Sequence, residues 1–403
     1  MVGIVAVGGG QASFSFVQKL KALGHKGVIT LVCSENTVPY QRPPLSKKFL
    51  LGDMKKEQLF LRPESYYQDN AINIIIGKQA VKLDINKRKI ELEDGFKLPY
   101  KKLFLGTGSS PRKLPNKIIN NAENVYYVRN IKDIQAISKQ FNSKRSLLII
   151  GGGYIGLEMA AVARKLGLEV TIIEAQERIL KRVSSEVTAS FFRNLHSKNG
   201  VRIRENVSVK DFIMEGDHLK GVLTDKGENI LADFFVVGIG IEPNVELAES
   251  AGLEIQNGIF VDDRCCTSDP NVFAAGDCAN FPYQGERIRL ESVGNAIEQS
   301  EVAANVILGN GSHYNALPWF WSDQFHVKLQ IAGLNAGYTE VVERIDGERI
   351  SHWYYRDGEF KSVDAINDPI SYMVGKKLIE RGQTPDPKNI RSVSFNVKSL
   401  LRG

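Results

Sequence analysis

Two glycine-rich segments of one pattern constrain this chain more than any other feature. The first covers residues 5–13 (VAVGGGQAS) and is followed by Glu35, and the second covers residues 148–156 (LIIGGGYIG) and is followed by Glu174. Each combines an apolar run, a glycine turn, a helical pattern, a second apolar run and an acid about 20 residues further on. One such βαβ unit binds one dinucleotide. The chain is therefore predicted to hold two dinucleotides, an arrangement suited to electron transfer between cofactors.

The first segment has the residues that a pyrophosphate site needs. Gly8 permits the tight turn and Gly10 lets the backbone approach the pyrophosphate, while the following helix offers its N–H groups and positive dipole end. Glu35 can accept hydrogen bonds from ribose hydroxyls. The third glycine of the pattern is replaced, with Ala12 and Ser13 standing there. Because that position serves helix–strand packing, a small residue suffices, and we predict a nucleotide site.

The second segment is complete. Its three glycines are Gly151, Gly153 and Gly156. A carboxylate at Glu174 binds the 2′-hydroxyl of NAD and repels the 2′-phosphate of NADP, so this site is predicted to prefer NADH. Arg178 and Arg182 follow closely and could bind that phosphate. From the residues alone we interpret them as surface charges, because Glu174 would still repel the phosphate.

Hydrophobic periodicity places the main elements along the chain. Helices are predicted over 13–23, 154–166 and 294–308, the first two ending at Gly24 and Gly167. A strand is predicted over 28–32, a hairpin over 80–100 with its turn at 93–95, and alternating strands over 201–237. Further apolar strands end in Gly106-Thr107-Gly108 and in Gly276-Asp277.

The sequence becomes rich in aromatic residues from Leu317 onwards. Three tryptophans and two tyrosines then fall in strand-like pieces, and a helix is predicted near 370–380. These elements predict a third domain of α+β type. The predicted fold class is therefore α/β, with two Rossmann-like dinucleotide-binding domains and a C-terminal α+β domain.

Composition excludes several classes of protein. The 403 residues are 43% hydrophobic and 24% charged, which is typical of a globular protein of two or three domains. No segment approaches the roughly 18 uncharged apolar residues of a membrane helix. The first predicted strand begins at Val2, without the basic segment or cleavage site of a signal peptide. We expect a cytoplasmic protein with no membrane partner.

The net charge of +6 is unevenly distributed. An excess of basic residues lies between 376 and 403, against the acids Glu380 and Asp386, and a second excess lies between Arg42 and Arg62. The basic residues of the C-terminal region are Lys376, Lys377, Arg381, Lys388, Arg391, Lys398 and Arg402. They form either a solvated surface or a docking site for an acidic protein. Nucleic acid is not expected, since no nucleic-acid-binding module accompanies the charge.

The cysteines provide neither a metal site nor a redox pair. They are Cys33, Cys265, Cys266 and Cys278, and none has metal-ligand or Cys-x-x-Cys spacing. The adjacent Cys265 and Cys266 could form a strained vicinal disulfide, but reduced thiols are expected in the cytosol. Dithiol chemistry therefore has no residues near the first glycine segment.

Taken together, these motifs resemble a known family over essentially the whole chain. The markers are 42–47 (RPPLSK), 151–158 (GGGYIGLE), 237–240 (VGIG), 275–277 (AGD) and 317–324 (LPWFWSDQ). The chain resembles the two-dinucleotide flavoprotein reductases of the glutathione-reductase structural type. Within them it is similar to the FAD-dependent NADH:ferredoxin and rubredoxin reductases, the putidaredoxin reductase-like and biphenyl dioxygenase ferredoxin reductase-like group.

The resemblance implies two sets of cofactor contacts. FAD would be held by Gly8, Gly10, Ala12, Ser13, Glu35, Arg42, Lys47, Thr107, Gly108, Arg112, Gly276, Asp277, Ser292, Val293 and Trp321. NADH would be held by Gly151, Gly153, Tyr154, Ile155, Gly156, Glu158, Glu174, Arg182, Gly238 and Gly240. In this scheme Arg42 and Lys47 face the pyrophosphate and the isoalloxazine ring, and Arg112 adds a further contact. Asp277 contacts the ribityl or phosphate part of FAD.

Three residues are candidates for a part in catalysis. We hypothesise that Lys47 and Glu158 pair, with Lys47 stabilising the anionic reduced flavin and Glu158 tuning Lys47 or the nicotinamide. Alternatively, Glu158 is a first-turn carboxylate that interacts only with the helix dipole. Trp321 would lie beside the flavin where electrons leave, or it would pack with its aromatic neighbours. Tyr154 either gates nicotinamide entry or packs its helix.

The function implied is that of a ferredoxin–NAD(+) reductase. NADH would reduce FAD, and FAD would pass single electrons to a small acidic iron–sulfur protein, a [2Fe–2S] ferredoxin or a rubredoxin, that feeds a Rieske dioxygenase or cytochrome P450. Two alternatives keep the fold: an NADH-binding interaction flavoprotein of the apoptosis-inducing-factor type, and a monodehydroascorbate-type reductase of a small molecule. The predicted domains are 1–108 with 239–316 for FAD, 109–238 for NAD, and 317–403 at the C-terminus.

Overall fold

The computed structural model describes residues 2–115, 119, 121–141 and 145–402. Its strands are β1 (Gly3–Val7), β2 (Ile29–Cys33), β3 (Ile72–Ile76), β4 (Ala80–Asp84), β5 (Lys89–Leu92), β6 (Lys97–Leu105), β7 (Ser109–Pro111), β8 (Val125–Tyr127), β9 (Ser146–Ile150), β10 (Glu169–Glu174), β11 (Val201–Glu205), β12 (Val209–Glu215), β13 (His218–Thr224), β14 (Asn229–Leu231), β15 (Phe234–Val237), β16 (Ile241–Pro243), β17 (Ile259–Phe260), β18 (Val272–Ala274), β19 (Ala279–Tyr283), β20 (Glu286–Ile288), β21 (Trp319–Gln324), β22 (Val327–Gly333), β23 (Glu340–Asp346), β24 (Arg349–Arg356) and β25 (Glu359–Ile366). Its α-helices are α1 (Gln11–Ala22), α2 (Glu64–Asp69), α3 (Ile131–Ser138), α4 (Tyr154–Lys165), α5 (Glu186–Lys198), α6 (Glu246–Glu249), α7 (Val293–Ile307), α8 (Pro369–Glu380) and α9 (Pro387–Arg391). Short 3₁₀ helices cover Pro43–Ser46, Lys56–Leu59 and Val397–Leu401.

The chain packs as two compact units. The first consists of Met1–Arg42, Lys55–Ser110 and Glu242–Pro318, and the second of Pro43–Met54, Pro111–Ile241 and Trp319–Gly403. The chain thus changes unit within a few residues of all three predicted domain boundaries, at 110/111, 241/242 and 318/319. The division into three domains stays a prediction, because the second unit includes both the predicted NAD-binding domain and the C-terminal region.

A parallel sheet forms the centre of the first unit. Its order is β3-β2-β1-β6, with β18 parallel to β6 and the antiparallel strands β5 and β4 continuing from β6. Strand β1 is a nearly continuous buried apolar run, as expected for a strand covered on both faces. Helix α1 packs with α7, and its buried Phe14, Phe16, Val17 and Leu20 join the core.

The second unit repeats this topology. The order β11-β10-β9-β15-β8 is parallel throughout, so β9, β10 and β15 correspond to β1, β2 and β6. Between β11 and β15 the chain forms an antiparallel sheet of order β12-β13-β14. The C-terminal region adds a five-stranded antiparallel sheet of order β21-β22-β25-β24-β23, against which α8 packs.

The predicted elements are confirmed, with small differences in their ends. Helix α1 begins at Gln11 rather than at residue 13, because the glycine turn leads directly into it. The predicted stops are confirmed: Gly24 and Gly167 have φ of 80° and 85°, the left-handed conformation that ends helices. The hairpin turn at 93–95 lies between β5 and β6. Within the described residues, no helix has both the length and the apolar character needed to span a bilayer.

Candidate functional site

The first glycine turn follows β1, and its two key glycines serve different purposes. Gly8 has φ of 124°, and a Cβ there would lie 2.1 Å from the Gly106 carbonyl oxygen, so the fold itself requires glycine. Gly10 has an ordinary φ of −109°, and a Cβ there would meet no atom of the described residues within 4 Å. Neither the backbone nor internal packing explains Gly10. A ligand that approaches the start of α1 does explain it.

The third position of the first motif is occupied by a small polar residue. Ser13 is fully buried and its hydroxyl donates to the Val7 carbonyl over 3.1 Å. A Cβ at Gly106 would lie 2.3 Å from the Ser13 Oγ, so Gly106 makes room for the serine. The neighbouring Ala12 faces Gly276, where a Cβ would approach the Ala12 Cβ to 3.1 Å. The structure thus brings the Gly276-Asp277 turn to the first turn of α1.

Glu35, in the segment after β2, is bound by two neighbouring side chains. Its Oε1 accepts from the Arg42 guanidinium over 2.6 Å, and its Oε2 accepts from the Tyr40 hydroxyl over 2.6 Å. Arg42 also donates to Tyr40 over 3.0 Å. The predicted ribose acid and the predicted pyrophosphate arginine therefore form one cluster. Sequence reasoning assigned Glu35 and Arg42 to different parts of the ligand and missed Tyr40.

The remaining predicted FAD residues of the first unit are linked by hydrogen bonds. The Thr107 hydroxyl donates to the Asn244 carbonyl over 2.7 Å, and the Asn244 amide N–H donates to the Gly108 carbonyl over 3.0 Å. The Asp277 carboxylate accepts from the Ser109 hydroxyl over 2.8 Å. These bonds hold the 107–109 turn against the segment 243–244 and beside Asp277.

Helix α7 supplies a second anchor for this region. Ser292 is its N-cap and accepts from the Asn295 amide over 3.2 Å, with Val293 as its first residue. Further along, the buried Gln299 accepts from the Gly276 amide over 2.8 Å. The cofactor contacts assigned to Ser292 and Val293 stay a prediction. Gln299 was not predicted, and its only signal in the sequence is an amide residue on the apolar face of a predicted helix.

The second glycine turn repeats the first. Gly151 has φ of 111°, and a Cβ there would lie 2.3 Å from the Gly238 carbonyl oxygen. A Cβ at Gly156 would lie 2.3 Å from the Gly151 carbonyl oxygen, so this helix approaches too closely for any side chain. Gly153 matches Gly10: its φ is −79°, and within the described part of the chain a Cβ would meet no atom closer than 4 Å. Ile155 follows on α4 and is exposed.

Glu174 points back at this second turn. Its Oε2 accepts from the Gly152 amide over 2.7 Å and its Oε1 accepts from the Gln176 amide over 2.7 Å. No ion pair to Glu174 occurs among the described residues, in contrast to the pairing of Glu35 with Arg42. The carboxylate is therefore oriented by the backbone and keeps its negative charge uncompensated.

The two arginines after Glu174 differ. Arg182 is exposed, and its guanidinium lies 3.2 Å from where a Cβ at Gly240 would be. The interpretation of Arg178 as a surface charge is wrong, since it is 7% exposed and donates to the carbonyls of Ile179 and Ser184. Its apolar stem and planar donors suit a buried backbone clamp, and the sequence carries no local sign of this.

The segment 238–240 has a further neighbour in Arg112. The Arg112 amide donates to the Gly240 carbonyl over 2.9 Å, and its guanidinium reaches the Ile241 carbonyl at 3.3 Å. Arg112 was predicted from the resemblance to contact FAD. In the structure its protein partners lie in the 240–241 segment, and its contact with FAD stays a prediction.

Lys47 and Glu158 form the ion pair that the sequence predicts. The Lys47 Nζ lies 2.7 Å from the Glu158 Oε2, and their side chains are 16% and 5% exposed. The Ser46 hydroxyl donates to the same Oε2 over 2.6 Å, and the Ser322 hydroxyl donates to Oε1 over 2.7 Å. The alternative interpretation of Glu158 is wrong: it is the fifth residue of α4, beyond the first turn, and buried.

Trp321 belongs to a short series of aromatic rings on β21. It stacks on Trp319 at 5.6 Å between ring centroids, and the Lys376 Nζ lies 5.6 Å above the Trp319 ring. Phe320 on the same strand packs against Tyr154 at 4.7 Å. The Tyr154 hydroxyl is buried without a partner among the described residues, and burial raises its pKa. These contacts favour a packing role for Tyr154.

The thiols take no part in this arrangement. All four cysteines are free, and Cys33, which ends β2, is buried with its pKa raised to about 12 by that burial. Cys265 is fully buried and its Sγ donates to the Gln299 carbonyl. A thiol that stays protonated and inaccessible is a poor nucleophile.

The residues present fit two dinucleotides. Each parallel sheet offers one glycine position that the protein leaves open, at the N-terminus of a helix whose first amides lack intrahelical partners. Each also places a carboxylate at or just after the end of the adjacent strand. In the first unit the carboxylate of Glu35 is paired with Arg42, whereas no ion pair to Glu174 occurs among the residues that the structure describes in the second unit.

Comparisons with known proteins agree with this interpretation. Residues 2–300 match the model of the pyridine nucleotide-disulphide oxidoreductase family, and residues 319–401 match a reductase C-terminal domain. The chain is 39% identical to rhodocoxin reductase of Rhodococcus erythropolis, covering 99% of this chain and 94% of that protein. It is 36% identical to the ferredoxin–NAD(+) reductase component of the anthranilate 1,2-dioxygenase system of Burkholderia cepacia, covering 98% of each. A crystal structure of a covalent putidaredoxin reductase–putidaredoxin complex superposes with a TM-score of 0.96 at 35% identity, covering 100% of this chain and 98% of that chain.

Proposed function

This chain belongs to the pyridine nucleotide-disulphide oxidoreductase family, and we propose that it carries electrons from NADH to a small acidic iron–sulfur protein. It is an oxidoreductase that uses FAD and NAD. When bound, these cofactors supply the redox chemistry, a hydride passing from NADH to the flavin and electrons leaving singly. For each NADH, two molecules of the iron–sulfur protein are reduced and one proton is released.

The observation that carries the proposal is the pair of open glycine positions, Gly10 and Gly153. Two equivalent turns in one chain, each with space for a pyrophosphate, support two dinucleotides in place of one. The loop at 42–47 reads RPPLSK and contains no cysteine. With no thiol in that loop, the acceptor must be a separate molecule.

Lys47 and Glu158 are the residues that we propose act during the reaction. The Lys47 ammonium would stabilise the negative charge that the flavin gains, and Glu158 would hold the ammonium in place. Two hydroxyl groups, of Ser46 and Ser322, donate to the buried Glu158 carboxylate and restrict its orientation. The chain's contribution is thus charge and alignment, with no side chain required to give or take a proton during hydride transfer.

The surface around Trp319 and Lys376 supports docking of an acidic partner. Trp319 and Trp321 are half-buried and stack, Lys376 covers Trp319, and Met373 on the same helix is 44% exposed. A cation over an aromatic ring, beside an exposed aliphatic side chain, suits a weak, salt-sensitive protein interface. The names of the relatives, which include rhodocoxin and putidaredoxin reductases, support an iron–sulfur protein as the partner.

We further propose a Rieske dioxygenase or cytochrome P450 as the enzyme that this carrier supplies, and a cytoplasmic location. The relative from the anthranilate 1,2-dioxygenase system supports the first proposal. Four free thiols, three of them buried, support a reducing compartment.

The role of the ion pair is tested by rapid mixing with NADH. In Lys47→Ala, flavin bleaching at saturating NADH is expected to slow by about 100- to 1,000-fold, the usual effect of removing one preorganised group that stabilises a transition state. The neighbouring Lys48, which lies outside the pair, provides the control as Lys48→Ala. Equal bleaching rates in Lys47→Ala and wild type would contradict the role assigned to the pair.

A further inference from the structure

A chain of buried hydrogen bonds leads away from Glu158 on the side opposite Lys47. The Ser322 hydroxyl donates to Glu158 Oε1 over 2.7 Å, and the Gln324 Nε2 donates to the Ser322 Oγ over 3.1 Å. The Gln324 Oε1 lies 2.8 Å from the Nε2 of His196 on α5. Ser322, Gln324 and His196 are all fully buried. Neither Gln324 nor His196 has a part in the proposed reaction.

The direction of every bond in this chain follows from the carboxylate. A carboxylate only accepts, so the single hydroxyl proton of Ser322 must point at Glu158. Ser322 must then accept from the amide NH₂ of Gln324, which turns the amide oxygen towards His196. An amide oxygen also only accepts, so the His196 Nε2 carries the proton. The charge of Glu158 thus fixes the tautomer of a histidine on another helix.

The surroundings of His196 agree with this assignment. Burial lowers the pKa of His196 to about 4, so the ring is neutral and has one N–H. Its Nδ1 is buried without a partner among the described residues, as the Nε2–H tautomer leaves it an unprotonated acceptor. The ring is held edge-on to Phe325 with centroids 5.0 Å apart.

The chain is not a path for protons. An amide neither gains nor loses a proton at ordinary pH, so Gln324 interrupts any transfer, and His196 has no exposed surface from which a proton could leave. What the chain does provide is a row of dipoles whose positive ends all point at Glu158. Aligned donors in a buried site stabilise a carboxylate and restrict its rotation.

We propose that Gln324, held by His196 and acting through Ser322, is a positioning residue that fixes the Glu158 carboxylate and, through it, the Lys47 ammonium. This rests on the function proposed for the ion pair. Without the amide, Ser322 is free to turn its hydroxyl elsewhere, and Glu158 loses one of its two fixed donors. Lys47 then spends more of its time away from its partner.

The test compares substitutions of matched shape in the purified flavoprotein. Gln324→Met keeps the side-chain length and removes both hydrogen bonds. His196→Gln keeps an N–H donor, whereas His196→Leu removes it. Ser362→Ala is the control, because Ser362 is equally buried in the C-terminal sheet and its hydroxyl has no partner among the described residues.

The direct readout is the reactivity of Lys47, measured by competitive labelling with acetic anhydride and mass spectrometry. In Gln324→Met, labelling of Lys47 relative to the other lysines is expected to rise about fivefold, the effect of losing one buried hydrogen bond. Flavin reduction at saturating NADH is expected to slow by a similar factor while the Kd for NADH stays constant. The control is expected to match wild type in both measurements.

Each outcome decides the proposal. Wild-type labelling of Lys47 in a folded, flavin-loaded Gln324→Met protein would overturn it. If Gln324→Met does not fold, the histidine pair decides: raised labelling in His196→Leu alone supports the proposal, and equal labelling in both variants overturns it. If labelling of Lys47 rises in Gln324→Met but Lys47→Ala reduces its flavin at the wild-type rate, the positioning role of Gln324 is supported and the catalytic role of the Lys47–Glu158 pair is contradicted.

Discussion

Replacing Glu174 with glutamine is expected to abolish most of the preference for NADH over NADPH. The substitution keeps the size of the side chain and removes its charge. In the structure the carboxylate is half-buried, held by the backbone amides of Gly152 and Gln176, and carries no ion pair among the described residues. Its full negative charge therefore acts on whatever approaches the second glycine turn.

The size of the effect follows from Coulomb's law. A phosphate charge about 4 Å from the carboxylate costs about 4 kcal/mol at an effective dielectric constant of about 20, and partial exposure reduces this to about 3 kcal/mol. That energy corresponds to a discrimination of about 100-fold. The amide introduced by Glu174→Gln would also offer one oxygen to two backbone N–H donors, so NADH itself should bind a few-fold more weakly.

The assay is flavin reduction at increasing NADH and NADPH, which gives the ratio of the two second-order rate constants. The matched control is Glu169→Gln at the opposite end of β10, an exposed acid paired with Arg202 at 3.3 Å. The control should retain the wild-type ratio. A wild-type ratio in Glu174→Gln would refute the assignment of Glu174 as the residue that selects NADH.

Three further predictions follow from burial and backbone geometry. Gly153→Ala should melt at the wild-type temperature but bind NADH at least about tenfold more weakly, because the added Cβ occupies only the space open to the ligand. Gly151→Ala should fail to fold, because its Cβ would lie 2.3 Å from a carbonyl oxygen. Thermal melts and NADH titrations of the two variants check these expectations. The pKa of His196 is about 4 in the folded state and 6.5 in the unfolded state, so the unfolded state binds more protons between these two pH values. The free energy of unfolding should therefore be highest above pH 6.5 and fall by about 3 kcal/mol as the pH is lowered to 4. Denaturant titrations at several pH values should show that His196→Gln removes this part of the pH dependence. Arg344 is buried and donates to the carbonyls of residues 390, 392, 393 and 395, so Arg344→Met should free this C-terminal segment to limited proteolysis at a local cost of about 3 kcal/mol.

The features that could be predicted from sequence are those that depend on residues close together in the chain. A glycine turn between a strand and a helix depends on residues a few positions apart, so Gly8 and Gly151 could be placed before the structure was known. The helix stops at Gly24 and Gly167 have the same local origin. The pairing of Lys47 with Glu158 was also predicted, but through the resemblance to a family.

The parts that could not be predicted join residues far apart in the chain. Glu158, Ser322, Gln324 and His196 lie on three separate elements, and each alone reads as an ordinary polar residue. The burial of Arg178 and the Arg42–Glu35 pair were missed for a similar reason, since charge in a sequence does not reveal whether a partner will cover it. Each of these contacts can be recognised only from the positions of the side chains in the folded structure.

We propose above all that this flavoprotein delivers electrons from NADH to an iron–sulfur protein. The most direct measurement is NADH-driven reduction of cytochrome c by the purified protein, with and without an added [2Fe–2S] ferredoxin. We expect strong stimulation by ferredoxin, which weakens as ionic strength rises. Rapid flavin bleaching by NADH without stimulation by ferredoxin or rubredoxin would contradict it and indicate a small-molecule acceptor, and sluggish bleaching would indicate an NADH-binding interaction protein.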